Sequence, residues 1–290
     1  MGKFVQHLIS ARLWIFPVPL SAVILGSCLA YKDTGTIHSS VLILQVVCLT
    51  AALALTNLLN TYFDFINNID GPTSDDRTLV NKVLAPEEVL HSSGVALLIS
   101  SVSFALIVLL TPVPTWHILP LFVAGISAGV LYTAGFQLKY RALGDATVFL
   151  ACGMVSVLFV YLSQGGHLSS IPSILFYSLP LGLNVTGALH CNNTRDLEVD
   201  SQKGLSTVAI LLGRRGSYLY FLLLIFSSFL LFVQMAIFQS LWFLLPVLSI
   251  WSAVDCERNY YKGSFENLVQ KVAQLNLLQM ILYVTAWLLH

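Results

Sequence analysis

The sequence predicts an all-α polytopic membrane protein, a bundle of nine transmembrane helices built as two four-helix halves plus a ninth. Three observations carry that prediction. Of 290 residues, 57% are apolar and only 10% charged, and the mean hydropathy is +0.81, a composition foreign to ordinary soluble domains. Apolar segments long enough to cross a bilayer recur along the chain. The charges collect between them on one side.

In order, the segments run over Leu13–Tyr31, Val41–Phe63, Val89–Leu110, Ile118–Leu138, Leu143–Leu162, Ile174–Leu189, Tyr218–Val233, Leu241–Val254 and Val272–Leu289. The stretch from Tyr218 to Val254 would be about 55 Å as one helix against a hydrocarbon core of about 30 Å, so it divides around Phe238-Gln239-Ser240. With alternating spans, every one of the 14 basic residues except Lys32 falls on one side, and so does every one of the 14 acids except Asp33. The positive-inside rule makes that side cytoplasmic, together with the amino terminus, and sets the carboxy terminus opposite. The first apolar run follows Arg12 and leads into further spans, so no cleavable signal is expected. The five cysteines form no Cys-x-x-Cys pair and indicate neither a disulfide framework nor a zinc site. No nucleic acid is expected as a partner. Residues 1–290 read as one domain.

Against this apolar background one stretch stands out, Asn57-Leu-Leu-Asn-Thr-Tyr-Phe-Asp-Phe-Ile-Asn-Asn-Ile-Asp70. Asn57, Asn60 and Asp64 recur at steps of three and four, which puts them on one helix face. Asp70 would point the other way on a continued helix. The helix should therefore end near Asn67 and Asn68, with Gly71-Pro72 closing a turn that lets Asp70 fold back towards Asp64. A second copy of Asn-x-x-x-Asp occurs at Asn192 and Asp196, again followed by an Asp, Asp200. Four predicted spans separate the copies, an even number, so both should open at the same membrane face.

Five oxygen-bearing side chains, Asn60, Asp64, Asp70, Asp196 and Asp200, would repel at one mouth unless cations lay between them. Hard Mg²⁺ suits such ligands and leaves positions for water and phosphate oxygens. Arg77, Lys139, Arg141, Arg195 and Lys203 lie in neighbouring cytoplasmic segments and could neutralise a diphosphate. Its lipid-soluble tail would run down among the helices. One Asn-x-x-x-Asp alone is as readily a helix cap; the repetition within costly membrane segments argues for function. His190 reads as a hydrogen-bonded helix-end histidine, and His91 and His117 as interfacial. Asp75-Asp76 reads as loop. Tyr62, Phe63, Phe65, Tyr132, Tyr140 and Tyr161 could line a pocket for an allylic cation, but only Tyr132, in Tyr-Thr-Ala-Gly, rises above aromatic packing. Asn184-Val-Thr and Asn192-Asn-Thr match the glycosylation pattern but fall in a span and on the cytoplasmic side.

The two Asp motifs, with Arg195-Asp196, Asp200 and Gly204 in the second, resemble those of the UbiA superfamily of intramembrane aromatic prenyltransferases. Asn57-Leu-Leu-Asn-Thr-Tyr-Phe-Asp, Ser74-Asp-Asp-Arg-Thr-Leu-Val, Lys139-Tyr-x-Ala-Leu-Gly-Asp145 and Asn192-Asn-Thr-Arg-Asp are similar to the branch that holds the eukaryotic menaquinone-4 (vitamin K2) synthase and bacterial dihydroxynaphthoate polyprenyltransferases. The resemblance implies a nine-helix UbiA-type bundle whose motifs hold Mg²⁺ and the diphosphate of an isoprenyl donor, typically geranylgeranyl, with a naphthoquinol as acceptor. It implies metal ligation by Asn60, Asp64, Asp70, Asp196 and Asp200, with Arg195 and Lys139 as phosphate partners; the residues themselves make Asp64, Asp196, Asp200 and Tyr132 candidates for catalysis and Asn57, Asn60, Arg77, Lys139, Arg141, Asn193, Arg195 and Lys203 candidates for substrate binding. It further implies endoplasmic reticulum and Golgi membranes and contact with the sterol-regulated reductase. Arg12-Leu-Trp14 stands where relatives have Arg-Pro-Trp, Tyr132-Thr-Ala-Gly135 replaces Tyr-Thr-Gly-Gly, and a longer amino-terminal extension of the eukaryotic member is missing. Prenylation of another aromatic such as 4-hydroxybenzoate, and a membrane carrier or lipid-binding regulator, are the competing functions. The nearly uncharged far side leaves a carrier little to build an exit gate from.

Overall fold

Apolar side chains are most exposed where a soluble protein would hide them: Phe238 is 79% exposed, Trp251 78% and Leu109 77%, an outward apolar coat that only lipid would cover. The computed structural model describes residues 3–71 and 77–290. The sequence motif Ser74-Asp75-Asp76 and Pro72 lie outside the described residues.

Among those residues the architecture is helical: α1 (Lys3–Ser10), α2 (Pro17–Thr34), α3 (Ser39–Ile66), α4 (Pro86–Leu110), α5 (Thr115–Thr133), α6 (Gly144–Ser163), α7 (Ile171–Arg195), α8 (Leu197–Gln202), α9 (Val208–Phe238), α10 (Ile250–Tyr261) and α11 (Leu268–Leu289). No strand occurs among the described residues, only an isolated bridge between Arg141 and Ser206.

Seven helices are long and apolar enough to cross a membrane, namely α3, α4, α5, α6, α7, α9 and α11. The expected nine is therefore not reached by helices of spanning length and composition. At the first predicted span, α2 ends in Tyr31-Lys32-Asp33-Thr34, which dilutes its hydropathy. At the eighth, residues Leu241–Ser249 form a 3₁₀ helix around Pro246 and only then give way to α10; proline has no N–H to donate to the α ladder. The division expected near Gln239-Ser240 is present: α9 ends at Phe238, and Ser240 Oγ accepts the Trp242 N–H to start the next segment. The short α1 was not foreseen, nor the break in α9 at Gly213, which takes φ 64°.

α3 packs on α4, α9 on α7, and α11 against both α2 and α7. The last helix thus joins the beginning of the chain to its second half. α6 carries a π-helical stretch, Phe149–Val155, a form often found beside functional sites. At that stretch α6 and α7 almost touch. A Cβ on Gly153 would lie 2.5 Å from Gly182 Cα and 3.1 Å from Gly182 N, so backbone meets backbone and neither can yield. Gly153→Ala is expected to cost about 1–3 kcal/mol, read as a lower melting temperature of the detergent-purified protein; an unchanged melt would mean the two helices can part freely.

The end of the bundle predicted to lie opposite the charges is closed by neutral hydrogen bonds. Gln45 Nε2 donates to Ser163 Oγ at 2.6 Å, and Gln164 Nε2 to Gln45 Oε1 at 3.1 Å. Tyr161 donates to Asp33 there, so this tyrosine belongs to the closed end and not to a substrate pocket. Tyr62, Phe63 and Phe65 pack against the apolar cluster around Leu55 and Leu59.

Candidate active site

α3 ends at Ile66 because the chain turns back on itself. Asn68 adopts φ 56°, a left-handed conformation that asparagine tolerates, and the Asp64 carbonyl accepts N–H groups from Ile69 at 2.7 Å and Asp70 at 3.1 Å. Asp70 is thereby folded towards Asp64, as the spacing predicts. Asn60 and Asp64 are both more than nine-tenths buried. Between them sits Lys139, whose Nζ donates to Asn60 Oδ1 at 2.9 Å and to Asp64 Oδ2 at 2.7 Å. The second carboxylate oxygen, Asp64 Oδ1, is buried without a hydrogen-bond partner.

The second motif closes α7. Arg195 grips Asp196 through two parallel contacts, Nε to Oδ1 and an Nη to Oδ2, both 2.8 Å, and reaches Asn192 Oδ1 at 2.8 Å. This fork is the strong, planar form of an ion pair. The two motifs meet at one mouth. Lys203 Nζ donates to the Ile69 carbonyl of the first turn, and Asp200 feels the charges of Asp196, Asp64, Lys139 and Lys203 together. Burial pushes the Asp200 carboxyl up to about 6; Asp196 and Asp64 push the same way, while the two lysines oppose them. The loop bearing Lys139 is pinned to the second motif by backbone bonds from Ser206 N to the Tyr140 carbonyl and from Ala142 N to the Ser206 carbonyl.

Behind the mouth lies a cavity of about 230 Å³. Its rim is polar, with Arg12, Asn60, Lys139 and Asn192; its walls are apolar, with Val18, Leu49, Val148 and Val185. Tyr132 lines it, and the Tyr132 hydroxyl is buried with no hydrogen-bond partner. Such an arrangement can hold a charged head at the rim and a hydrocarbon tail below.

Not every expected site residue points inward. Asn57 lines the cavity, but its amide donates to the Ala11 carbonyl at 3.0 Å and so fixes the segment that carries Arg12 and Trp14. Asn193 is turned away, its amide donating to Asp145 Oδ1 at 3.2 Å. Arg77 and Arg141 are exposed and line no part of the cavity. His190 is hydrogen-bonded through both ring nitrogens, to Asp145 Oδ2 and to the Ser217 carbonyl, each at 3.2 Å. The buried Asp145 was missed as a partner although the signal was there: an acid in the first turn of an apolar span is costly unless it is used. Arg12 was missed as a rim residue because it stands outside both motifs.

The donor set fits a hard divalent ion. The oxygens of Asn60, Asp64, Asp70, Asp196 and Asp200 offer no soft ligand, and the unpartnered Asp64 Oδ1 is the kind of buried atom such an ion would satisfy. Among the described residues no three carboxylate, histidine or cysteine groups converge on a single point; Lys139 pairs with Asp64 and Arg195 with Asp196 instead.

Comparison with known proteins identifies the family and the fold. The UbiA prenyltransferase family model matches residues 20–277. UbiA prenyltransferase domain-containing protein 1 of Danio rerio is 38% identical over 286 residues, covering 98% of this chain and 84% of its own length. The Homo sapiens protein of that name is 37% identical over 282 residues, covering 97% and 83%. Among solved structures, a UbiA homologue from Aeropyrum pernix superposes with TM-score 0.72 at 19% identity, over 96% of this chain and 97% of that one. A UbiA homologue from Archaeoglobus fulgidus, bound to GPP and Mg²⁺, gives 0.63 at 14% identity over the whole of both chains. At such identities the structures speak to the fold alone. The sequence matches run through both Asp motifs and nearly end to end, and on that ground the chain belongs to the UbiA prenyltransferase family.

Proposed function

We propose that this protein transfers an isoprenyl group, geranylgeranyl in the first instance, from its diphosphate to the ring of a naphthoquinol such as menadiol or 1,4-dihydroxy-2-naphthoate, the step that makes the prenylated quinol of menaquinone biosynthesis. The observation that carries the proposal is the cavity, which joins a polar rim of Arg12, Lys139 and one asparagine from each motif, Asn60 and Asn192, to apolar walls inside the bundle. It is supported by the family match and by the full-length relatives. It is supported too by a homologue of the same fold that binds GPP with Mg²⁺.

In this reading Asn60, Asp64, Asp70, Asp196 and Asp200 hold Mg²⁺, which when bound draws electron density from the diphosphate. Lys139 exchanges its contact with Asp64 for a diphosphate oxygen, and Arg195 and Lys203 supply further positive charge at the second motif. The apolar walls exclude water from the allylic carbon once the carbon–oxygen bond to diphosphate breaks, so hydrolysis does not compete. The leaving diphosphate keeps the bonding pair. An electron-rich ring carbon of the quinol then forms the new carbon–carbon bond and passes its proton to a carboxylate near the second motif, or, on an acceptor bearing a carboxyl there, releases carbon dioxide in the proton's place. Tyr132, with its free hydroxyl in the wall, orients the acceptor. The charge bias of the loops supports a cytoplasmic mouth, and the resemblance to the eukaryotic branch supports endoplasmic reticulum and Golgi membranes.

The test is purified protein in detergent micelles with radiolabelled geranylgeranyl diphosphate, menadiol and Mg²⁺, scored for labelled quinone. Labelled product that disappears with chelator is the expected result. Product with 4-hydroxybenzoate but not with menadiol would move the acceptor to another aromatic class; no product in micelles, together with uptake of the label by lipid vesicles reconstituted with the protein, would make it a carrier.

A further inference from the structure

The first helix is turned the wrong way for water. Val5, Leu8 and Ile9 of α1 follow one another at steps of three and one, which puts them on one helix face. That face looks outward, the three side chains being 40%, 37% and 50% exposed. The polar side looks inward. His7 Nδ1 shares a 2.9 Å hydrogen bond with Ser92 Oγ of α4, and Ser10, only 1% exposed, donates to the His7 carbonyl at 3.0 Å. In water the same helix would roll over, covering its aliphatic side chains and wetting the histidine and the serine.

What covers the outward face follows from where it lies. α1 packs on α3 and α4, and its partner Ser92 stands six residues into α4, about 9 Å along that helix from Pro86 at the mouth end. Around that level the lipid-facing coat of α4 begins, with Leu90, Val95 and Leu98 all exposed. The apolar face of α1 therefore continues a surface that lipid already covers, at the depth where hydrocarbon gives way to headgroups. Its eight residues span about 12 Å, too short to cross a bilayer and suited to lying along its surface. The chain then passes straight to the site. The Ala11 carbonyl is held by the Asn57 amide at 3.0 Å, Arg12 takes φ 52°, and Arg12, Trp14 and Ile15 line the cavity.

We propose that α1 is an interfacial anchor: Val5, Leu8 and Ile9 insert into the headgroup boundary of the leaflet at the mouth, so that the cavity wall formed by Arg12, Trp14 and Ile15 is tied to the bilayer surface as well as to the bundle. The inference stands apart from the proposed reaction. It is tested with a nitroxide on Leu8→Cys or Ile9→Cys of the full chain in phosphatidylcholine nanodiscs. Collisions with oxygen, which concentrates in hydrocarbon, are read against collisions with a water-soluble nickel chelate, after subtracting the signal that the five native cysteines give in the unsubstituted chain. Leu98→Cys on the lipid face of α4 and Ser264→Cys in an exposed loop supply the lipid and water references. Both α1 labels are expected to give oxygen-to-nickel ratios well above that of Ser264→Cys and approaching that of Leu98→Cys. Val5→Asp, which sets a charge in the apolar face, is expected to lower the ratio at Ile9→Cys about fivefold. The two labelled positions are independent, so the test survives if one variant fails to accumulate. Ratios equal to that of Ser264→Cys would place the helix in water. Few collisions with either reagent, together with dipolar broadening between labels, would place a second copy of the chain on this face. Either result, or a ratio unmoved by Val5→Asp, overturns the anchor.

Discussion

Asp64→Ala is expected to lower prenyl transfer by about 10²–10³-fold, the scale seen when one preorganised charge-stabilising group is removed from a site. Two features make the experiment clean. The turn after α3 is held by the Asp64 backbone carbonyl, which accepts from Ile69 and Asp70, so the side chain can be removed without unpinning the turn. Lys139 keeps its 2.9 Å contact to Asn60. What disappears is the carboxylate alone, including the Oδ1 that has no partner in the protein. The measurement is the single-turnover rate with labelled donor and menadiol, alongside a thermal melt. A full rate in Asp64→Ala would remove the first motif from the chemistry, and a collapsed melt would assign the residue to folding instead.

The second large effect is expected at Asp145, which the proposed chemistry does not use directly. Its carboxylate takes His190 on one oxygen and the Asn193 amide on the other. It is 3% exposed, and His190 is fully buried. The His190 ring has acceptors at both nitrogens, the Ser217 carbonyl and the carboxyl of Asp145. A proton therefore lies between ring and carboxyl, and neither partner can be lost alone without stranding the other. Asp145→Ala is expected to destabilise by about 3–5 kcal/mol, as breaking a buried pair does. Replacing both residues by leucine should recover most of that loss, because no unpaired polar group then remains. Equilibrium or thermal unfolding in detergent reads both effects. A loss under about 1 kcal/mol for Asp145→Ala would mean the pair adds nothing. Because Asn193 sits one residue after Asn192 and three before Asp196, this pair also fixes the end of α7 that presents the second motif.

The parts of the fold legible in the sequence are those governed by local pattern. The helix end after Asp64, the division at Gln239-Ser240 and the pairing of the two motifs at one mouth follow from spacing, turn residues and charge bias. Asn60 stands at the rim with Asp64 one turn on along the same helix, as their spacing requires, and Lys139 lies between them. Other side chains obeyed contacts no spacing reveals. Asn193 and Asn57 carry the residue type a substrate site wants, yet the amide of one is spent on Asp145 and that of the other on Ala11. Arg77 and Arg141 have the right charge but remain exposed. The π-helical stretch of α6 and the 3₁₀ path around Pro246 are backbone adjustments that periodicity does not encode.

Composition, periodicity and charge placement by themselves determined that this chain is an α-helical membrane protein with two acidic motifs at one end, because lipid forces backbone bonds inward and leaves only side-chain pattern to vary. The tertiary structure alone decided which cations meet which carboxylates and that Asp145 and His190 close a buried pair. Those outcomes depend on residues from distant segments approaching within about 3 Å, and each partner is recognisable only once the helices have packed.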